Sequence, residues 1–137
     1  MASRRVDVFF YGLFMDPELL RAKGLDPQGA ELAWVEELAL LIGQRAALVP
    51  STGSKVHGVV MSLTLAELDQ LYSEPSVQAY QPQAVLLHLA SGGVAAALCY
   101  KLGQPPSADE RNPDYAAKLR ALGAKLGLPA HYVASIQ

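Results

Sequence analysis

Glu74 is the side chain in this sequence whose surroundings best suit acid–base chemistry. It lies in the segment Leu71–Val77, among aromatic and apolar residues, just past the end of an expected helix. A carboxylate in such surroundings loses hydration, so its protonated form becomes accessible near neutral pH and it can both accept and donate a proton. On sequence context alone, an ordinary loop glutamate is the commoner interpretation. Glu74 is therefore a candidate general acid–base residue.

A strand, a turn and a helix start follow one another early in the chain, and their junction is a candidate binding site. The residues of Val6–Tyr11 favour an extended backbone, and Gly12 permits angles that a side chain would exclude. Asp16 is a good N-cap, and Pro17 suits the first position of a helix. Such a junction presents backbone N–H groups to an anion or a polarised carbonyl. Many similar turns bind nothing, so spacing alone leaves this alternative open.

Other kinds of chemistry find little support in the residue pattern. The histidines, His57, His88 and His131, are far apart in sequence and form no ligand-spaced cluster. Cys99, the single cysteine, lies in an apolar run and is expected to pack in the core. The sequence contains no nucleophile elbow, no P-loop and no dinucleotide-binding glycine motif. We therefore expect no metal and no organic cofactor.

Composition predicts one domain that spans residues 1–137. The chain has 137 residues, of which 51% are hydrophobic, which is enough for one core. Its net charge of −2 comes without a basic block, so nucleic acid is not an expected partner. No apolar run approaches the roughly 20 residues that span a bilayer, and we expect a cytoplasmic protein with no membrane partner. The sequence leaves a homodimer open.

Apolar patterning predicts mostly strands with helices at the edges. Strands are expected at Val6–Tyr11, Leu32–Ile42 and Val56–Leu63, and a hairpin is expected to join Ala84–Ala90 to Val94–Leu102. The turn-rich residues of Pro50–Lys55 are expected to form a loop. The predicted fold class is α+β, built as a small mixed β-barrel or curved sheet with peripheral helices.

Local signals predict where the helices begin and end. Pro17–Ala22 is expected to form a short helix. Thr64 and Glu67 form a capping box for a second helix, which is expected to run to about Tyr72. Asn112 is expected to cap a third helix that carries a buried stripe of Tyr115, Leu119, Leu122 and Leu126 and ends at Gly127.

Three segments, taken in order, resemble the γ-glutamylcyclotransferase-like superfamily, which includes the AIG-type proteins. The first is Tyr11–Met15, and the second is Leu68-Asp69 followed by Glu74 and Tyr80. The third runs from Asn112 to Tyr132 and contains Pro113-Asp114-Tyr115, Gly123-Ala124 and Gly127-Leu128-Pro129. No single motif is specific, but their order and combination are. The resemblance covers nearly the whole chain.

The resemblance implies a set of site residues. Its catalytic glutamate falls on Glu74 when counted back from Tyr80, and near Tyr72 when counted forward from Leu68-Asp69. A two-residue insertion in the loop reconciles the counts, and Tyr72 has no carboxylate, so Glu74 is the preferred catalytic residue. Substrate binding is expected from Tyr80, from Tyr115 and from the loop residues Tyr11, Gly12, Leu13, Phe14 and Met15.

The resemblance also implies a reaction and a small-molecule partner. A γ-glutamyl amide closes on itself when its α-amine attacks the γ-carbonyl, and 5-oxoproline and a free amine or amino acid are released. Such a reaction needs one acid–base residue, with backbone N–H groups of the loop to hold a carboxylate or an oxyanion.

This chain departs from the family pattern at Leu13, Phe14 and Pro75, which replace a serine or threonine, an often polar residue and a glycine. Two alternatives therefore stay open. One is a non-catalytic binding module with the same pocket, and the other is a small interaction protein in which the pocket is vestigial.

Overall fold

The computed structural model describes residues 4–107 and 109–137. Strands and helices in chain order are β1 (Arg5–Phe10), a 3₁₀ turn (Leu13–Met15), α1 (Pro17–Ala22), β2 (Gln28–Ile42), β3 (Ala46–Thr64), α2 (Leu65–Leu71), β4 (Tyr80–Leu89), β5 (Val94–Leu102), α3 (Pro113–Leu126) and α4 (Ala130–Ser135).

The five strands close into a barrel in the order β1-β3-β2-β4-β5. Every neighbouring pair is antiparallel except β1 and β5, which run parallel over a short stretch, Val8 opposite Leu98 and Phe9 opposite Cys99. The architecture is therefore α+β, and of the two expected forms, barrel or curved sheet, the barrel is observed.

The close contact between β1 and β3 requires a glycine in the barrel wall. A side-chain Cβ at Gly58 would stand 2.1 Å from the carbonyl oxygen of Phe10. Since no real Cβ approaches a backbone atom so closely, only glycine fits this position. The contact brings the end of β1, where the candidate turn begins, tightly against the barrel.

The predicted loop at Pro50–Lys55 is wrong, because these residues belong to β3. Pro50 lies opposite Leu38 and Lys55 lies opposite Glu36 of β2, while the residues between them, 51–54, have no partner in the register. A bulge between Glu36 and Leu38 shifts the register, and Glu37 there has a φ of 66°. Irregularities of this kind let a strand absorb residues that are typical of turns.

The helix boundaries follow their local signals. The Thr64 side chain and Glu67 exchange both hydrogen bonds of a capping box at the start of α2. The Asn112 side chain accepts from the N–H of Tyr115 at the start of α3. Gly127 ends α3 in the left-handed conformation, with a φ of 88°. These capping interactions were readable because they join residues within four positions of each other.

One hydrophobic core fills the barrel and the helix faces against it. Its fully buried side chains include Val8, Phe9, Leu20, Met61, Leu63, Leu68, Leu71, Leu87 and Leu119. In the described ranges, 4–107 and 109–137, no helix is long and apolar enough to cross a membrane.

Candidate functional site

A cavity of about 300 Å³ opens where β1 passes into the 3₁₀ turn. We call it the tyrosine cavity, because five tyrosines surround it. Its lining residues are Phe9, Phe10, Tyr11, Gly12, Leu13, Phe14, Gln44, Arg45, Ala46, Tyr72, Glu74, Ser76, Val77, Tyr80, Tyr100 and Tyr115. Residues more than a hundred positions apart meet here, so the barrel builds the site.

The turn after β1 forms one side of the tyrosine cavity and is tied to α3. The N–H of Leu13 donates a hydrogen bond to the Tyr115 hydroxyl at 3.2 Å. A Cβ at Gly12 would stand 2.5 Å from that same hydroxyl oxygen, so position 12 has no room for a side chain. The glycine therefore allows the Tyr115 hydroxyl to lie against the backbone of the turn.

Tyr115 is held by the start of α3. Its own N–H donates to Asn112 Oδ1 at 3.1 Å, and Asn112 Nδ2 donates to the carbonyl oxygen of Gln44 at 3.1 Å. Because the Tyr115 hydroxyl accepts from Leu13, its own proton is available to a ligand. Burial raises the pKa of Tyr115, so the hydroxyl stays protonated at neutral pH. The Leu13 N–H is already used in the hydrogen bond to Tyr115, so the donor available to a ligand is the Tyr115 O–H.

The other tyrosines make a neutral wall. The Tyr11 hydroxyl donates to the carbonyl oxygen of Tyr100 at 2.8 Å, and the Tyr80 hydroxyl donates to that of Ala46. The Tyr72 ring stacks on Tyr100 with 3.8 Å between ring centroids. Burial raises the pKa of all four of these tyrosines, so none is ionised at neutral pH.

Glu74 lies at the rim of the tyrosine cavity. Its carboxylate Oε1 is 2.9 Å from Lys23 Nζ, and its side chain is 41% exposed. Lys23 is the C-cap residue that follows α1, and its ammonium lies 5.9 Å from the centre of the Phe14 ring. The carboxylate is thus less desolvated than its aromatic sequence neighbours suggested. It is ion-paired, and it faces both the cavity and solvent.

Most of the predicted site residues meet in this cavity. Tyr11, Gly12, Leu13, Phe14, Glu74, Tyr80 and Tyr115 all line it. Met15 does not, because its side chain is 1% exposed and packs in the core. Leu13 and Phe14 contribute apolar surface.

Sequence reasoning missed several contributors to the site, among them Lys23, Gln44, Arg45 and Tyr72. Tyr72 had a signal, since it is where the forward count from Leu68-Asp69 falls, and its ring lies inside the cavity. Arg45 had a weaker one, as a lone cation between two apolar runs. Lys23 had none, because only the fold brings α1 to Glu74.

Metal and thiol chemistry gain no support. Within residues 4–107 and 109–137, no three His, Cys, Asp or Glu side chains are arranged to share a metal ion. Cys99 is fully buried, and burial raises the pKa of its thiol to about 12. A thiol with that pKa is protonated and weakly nucleophilic at neutral pH.

The fold is an α+β barrel, and the tyrosine cavity lies beside the turn that follows β1. Residues 8–118 match the family described as "Gamma-glutamyl cyclotransferase, AIG2-like", and the chain belongs to that family. No curated protein matches the chain by sequence.

Solved structures share the whole fold at low sequence identity. One, a "Gamma-glutamyl cyclotransferase", is 20% identical, with a TM-score of 0.79 over 98% of this chain and 89% of that chain. An uncharacterized protein from Homo sapiens is 21% identical, with a TM-score of 0.76 over 97% and 88%. A cyclotransferase described as specific to glutathione, from yeast, is 14% identical, with a TM-score of 0.65 over 98% and 94%. These likenesses establish the fold.

Proposed function

We propose that this protein is a γ-glutamyl cyclotransferase, which releases 5-oxoproline and a free amine or amino acid from a γ-glutamyl substrate. The observation that carries the proposal is the meeting of Glu74, Gly12 and Tyr115 around one cavity of about 300 Å³. A carboxylate, a close-packed backbone turn and a hydroxyl with a free proton are the groups that an intramolecular acyl transfer needs.

Glu74 acts as the acid–base residue in this proposal. Its carboxylate takes a proton from the α-ammonium of the substrate, and the freed amine nitrogen attacks the γ-carbonyl carbon. A C–N bond forms and a tetrahedral intermediate results. Glu74 then returns the proton to the leaving nitrogen, the original amide C–N bond breaks, and the carbonyl is restored. The ring nitrogen still holds two protons, and it gives one of them through the Glu74 carboxylate to the released amine, which departs as an ammonium. Atoms and charge balance with no enzyme nucleophile and no added water.

Tyr115 is the proposed donor to the oxyanion of that intermediate. Its hydroxyl accepts from the Leu13 N–H, so its proton can reach an oxygen in the cavity. A donor that is fixed in place before the reaction stabilises developing charge without reorganising. The apolar lining from Phe10, Leu13 and Phe14 would exclude water and strengthen this interaction.

A panel of γ-glutamyl amino acids and γ-glutamyl amines, analysed by mass spectrometry for 5-oxoproline, tests the proposal. We expect 5-oxoproline from at least one member with the wild-type protein, and none above background with Glu74→Gln. The proposal is wrong if no member yields product, or if Glu74→Gln is as active as wild type.

A second candidate is a binding module without catalysis. The exposed, Lys23-paired position of Glu74 favours it, because an ion pair at the rim occupies the oxygen that would take the proton. This alternative predicts that γ-glutamyl-alanine raises the melting temperature while no 5-oxoproline appears. Turnover that is lost in Glu74→Gln would exclude it.

A further inference from the structure

A cationic side chain lies on the side of the tyrosine cavity formed by the β2–β3 turn. Arg45 lines this cavity and also a neighbouring one of about 450 Å³, formed with Ala79, Glu110 and the loop after β5. The Arg45 side chain is exposed. Across the described residues, its guanidinium makes no hydrogen bond and no ion pair with the protein.

The backbone around Arg45 is fixed in place. The N–H of Gln44 donates to Glu110 Oε1 at 3.1 Å, and the Gln44 carbonyl accepts from Asn112 at 3.1 Å. On the other side of Arg45, the Ala46 carbonyl accepts from the Tyr80 hydroxyl. The turn also closes on itself, because the N–H of Gly43 donates to the Arg45 carbonyl at 3.1 Å. A fixed backbone that carries a free guanidinium is preorganised for an anionic ligand.

Glu110 does not neutralise this cation. Its two carboxylate oxygens already accept hydrogen bonds from the N–H groups of Gln44 and Ser107, at 3.1 and 2.7 Å. The charge of Arg45 instead acts on Tyr80, where it opposes the rise in pKa that burial causes. Because Arg45 lines both cavities, its charge is available to a ligand in either of them.

The charges around the tyrosine cavity match those of one kind of γ-glutamyl compound. Glu74 and Lys23 form an ion pair at the rim, which complements an α-ammonium next to an α-carboxylate. Arg45 adds a second positive charge, in the direction of the neighbouring cavity. A γ-glutamyl amino acid carries a second carboxylate on its leaving portion, whereas a γ-glutamyl amine carries none.

We propose that Arg45 is a specificity-determining residue that binds a carboxylate on the leaving amine. This inference rests on the proposed function and narrows it to substrates whose released product is an amino acid or a short peptide. The guanidinium offers paired N–H donors to the two oxygens of a carboxylate, a contact that a neutral amide cannot reproduce.

Two substrates that differ only in that carboxylate test the inference. They are γ-glutamyl-alanine and γ-glutamyl-alaninamide, assayed with wild type, Arg45→Gln and the control Arg21→Gln, which removes an exposed arginine on α1. We expect Arg45→Gln to lower kcat/KM for γ-glutamyl-alanine by about 10- to 100-fold, mainly by raising KM. The same variant should change kcat/KM for γ-glutamyl-alaninamide by less than about twofold. Arg45→Lys should restore part of the loss, and Arg21→Gln should change neither substrate.

The possible failures point to different conclusions. Equal losses on both substrates would overturn the inference, because Arg45 would then bind the γ-glutamyl portion or support the fold. An unchanged kcat/KM on both substrates would overturn it as well. In either case turnover by wild type leaves the proposed function standing. If wild type turns over neither these substrates nor the wider panel, the proposed function fails, and the inference about Arg45 fails with it.

Discussion

Two aromatic clusters of this barrel differ in what their rings enclose. In the tyrosine cavity, five tyrosines surround open space, with Glu74 and Arg45 beside it. In the second cluster, which we call the histidine cluster, rings pack against one another. His88 stacks on Trp34 with centroids 5.3 Å apart, while His57 contacts Tyr132 at 4.9 Å and His131 at 6.4 Å.

The difference shows that titratable side chains alone do not define a site. The histidine cluster gathers every histidine of the chain, yet none of the three lines the tyrosine cavity or the neighbouring cavity beside Arg45. Among the described residues, the buried Trp34 Nε1 and Tyr132 hydroxyl of this cluster have no hydrogen-bond partner. In the tyrosine cavity, the hydroxyl of Tyr115 keeps a proton for a ligand. A site needs open volume together with groups that face it.

Removal of the carboxylate of Glu74 should have the largest effect. We expect Glu74→Gln to lower kcat for 5-oxoproline release by about 10²- to 10⁴-fold, because one residue serves as both base and acid. The matched control is Glu18→Gln, which removes another glutamate paired with a lysine, Lys125, far out on the surface. Steady-state rates by mass spectrometry check this, and a similar rate loss in both variants would contradict it.

A side chain at position 12, in the turn after β1, should have the next largest effect. Gly12→Ala places a Cβ 2.5 Å from the Tyr115 hydroxyl, so the tyrosine or the turn must move. We expect a loss of about 1–3 kcal/mol in the free energy of unfolding and a strong loss of activity. Gly103→Ala is the control, because a Cβ at that position would have nothing within 4 Å of it. Urea unfolding measures the free energy of unfolding of both variants. If Gly12→Ala were as stable as Gly103→Ala, the turn would tolerate a side chain.

One hydroxyl from each cluster gives a direct comparison. Tyr115→Phe loses the hydrogen bond from the Leu13 N–H, so we expect about 1 kcal/mol less stability and about a tenfold lower rate. Tyr132→Phe, in the histidine cluster, should leave the rate within about twofold of wild type. A comparable rate loss in both variants would contradict the assignment of function to the tyrosine cavity alone.

The smallest effect should appear in the pH dependence of stability. Burial lowers the pKa of His57, and the nearby charges of His131 and Lys55 lower it further. The unfolded chain therefore binds a proton at His57 more readily than the folded chain does. The resulting stabilisation is present above about pH 6.5 and is lost as pH falls through the folded pKa.

Between pH 7 and pH 5, we expect the free energy of unfolding to fall less in His57→Gln than in wild type. The difference should be below about 1 kcal/mol, because His57 is only partly buried. Activity measured at pH 7 should not change. Urea unfolding of wild type and variant at matched pH values measures this, and parallel curves would show that His57 does not titrate with folding.

The sequence predicted the parts of the fold that depend on near neighbours. The capping box of Thr64 and Glu67 and the Asn112 cap join residues three positions apart, so their types alone were informative. The hairpin arm through Pro50 was missed, because the pairing between β2 and β3 overrides turn-like composition. The register of a strand is a property of its partner as well as of its own residues.

The same distinction holds at the candidate site. The order of Tyr11, Glu74, Tyr80 and Tyr115 along the chain predicted a shared pocket, and all four line one cavity. The ion pair of Glu74 with Lys23 joins residues 51 positions apart and could not be read from either segment. The sequence also could not show that the guanidinium of Arg45 has no partner among the described residues, because that depends on how distant segments pack.

A crystal structure of Glu74→Gln with γ-glutamyl-alanine bound tests the central claim most directly. The account predicts the ligand in the tyrosine cavity, with its α-amine within hydrogen-bond distance of the side chain at position 74 and its γ-carbonyl oxygen at the Tyr115 hydroxyl. A ligand bound elsewhere on the barrel would contradict the account. So would a ligand in the cavity whose α-amine points away from position 74.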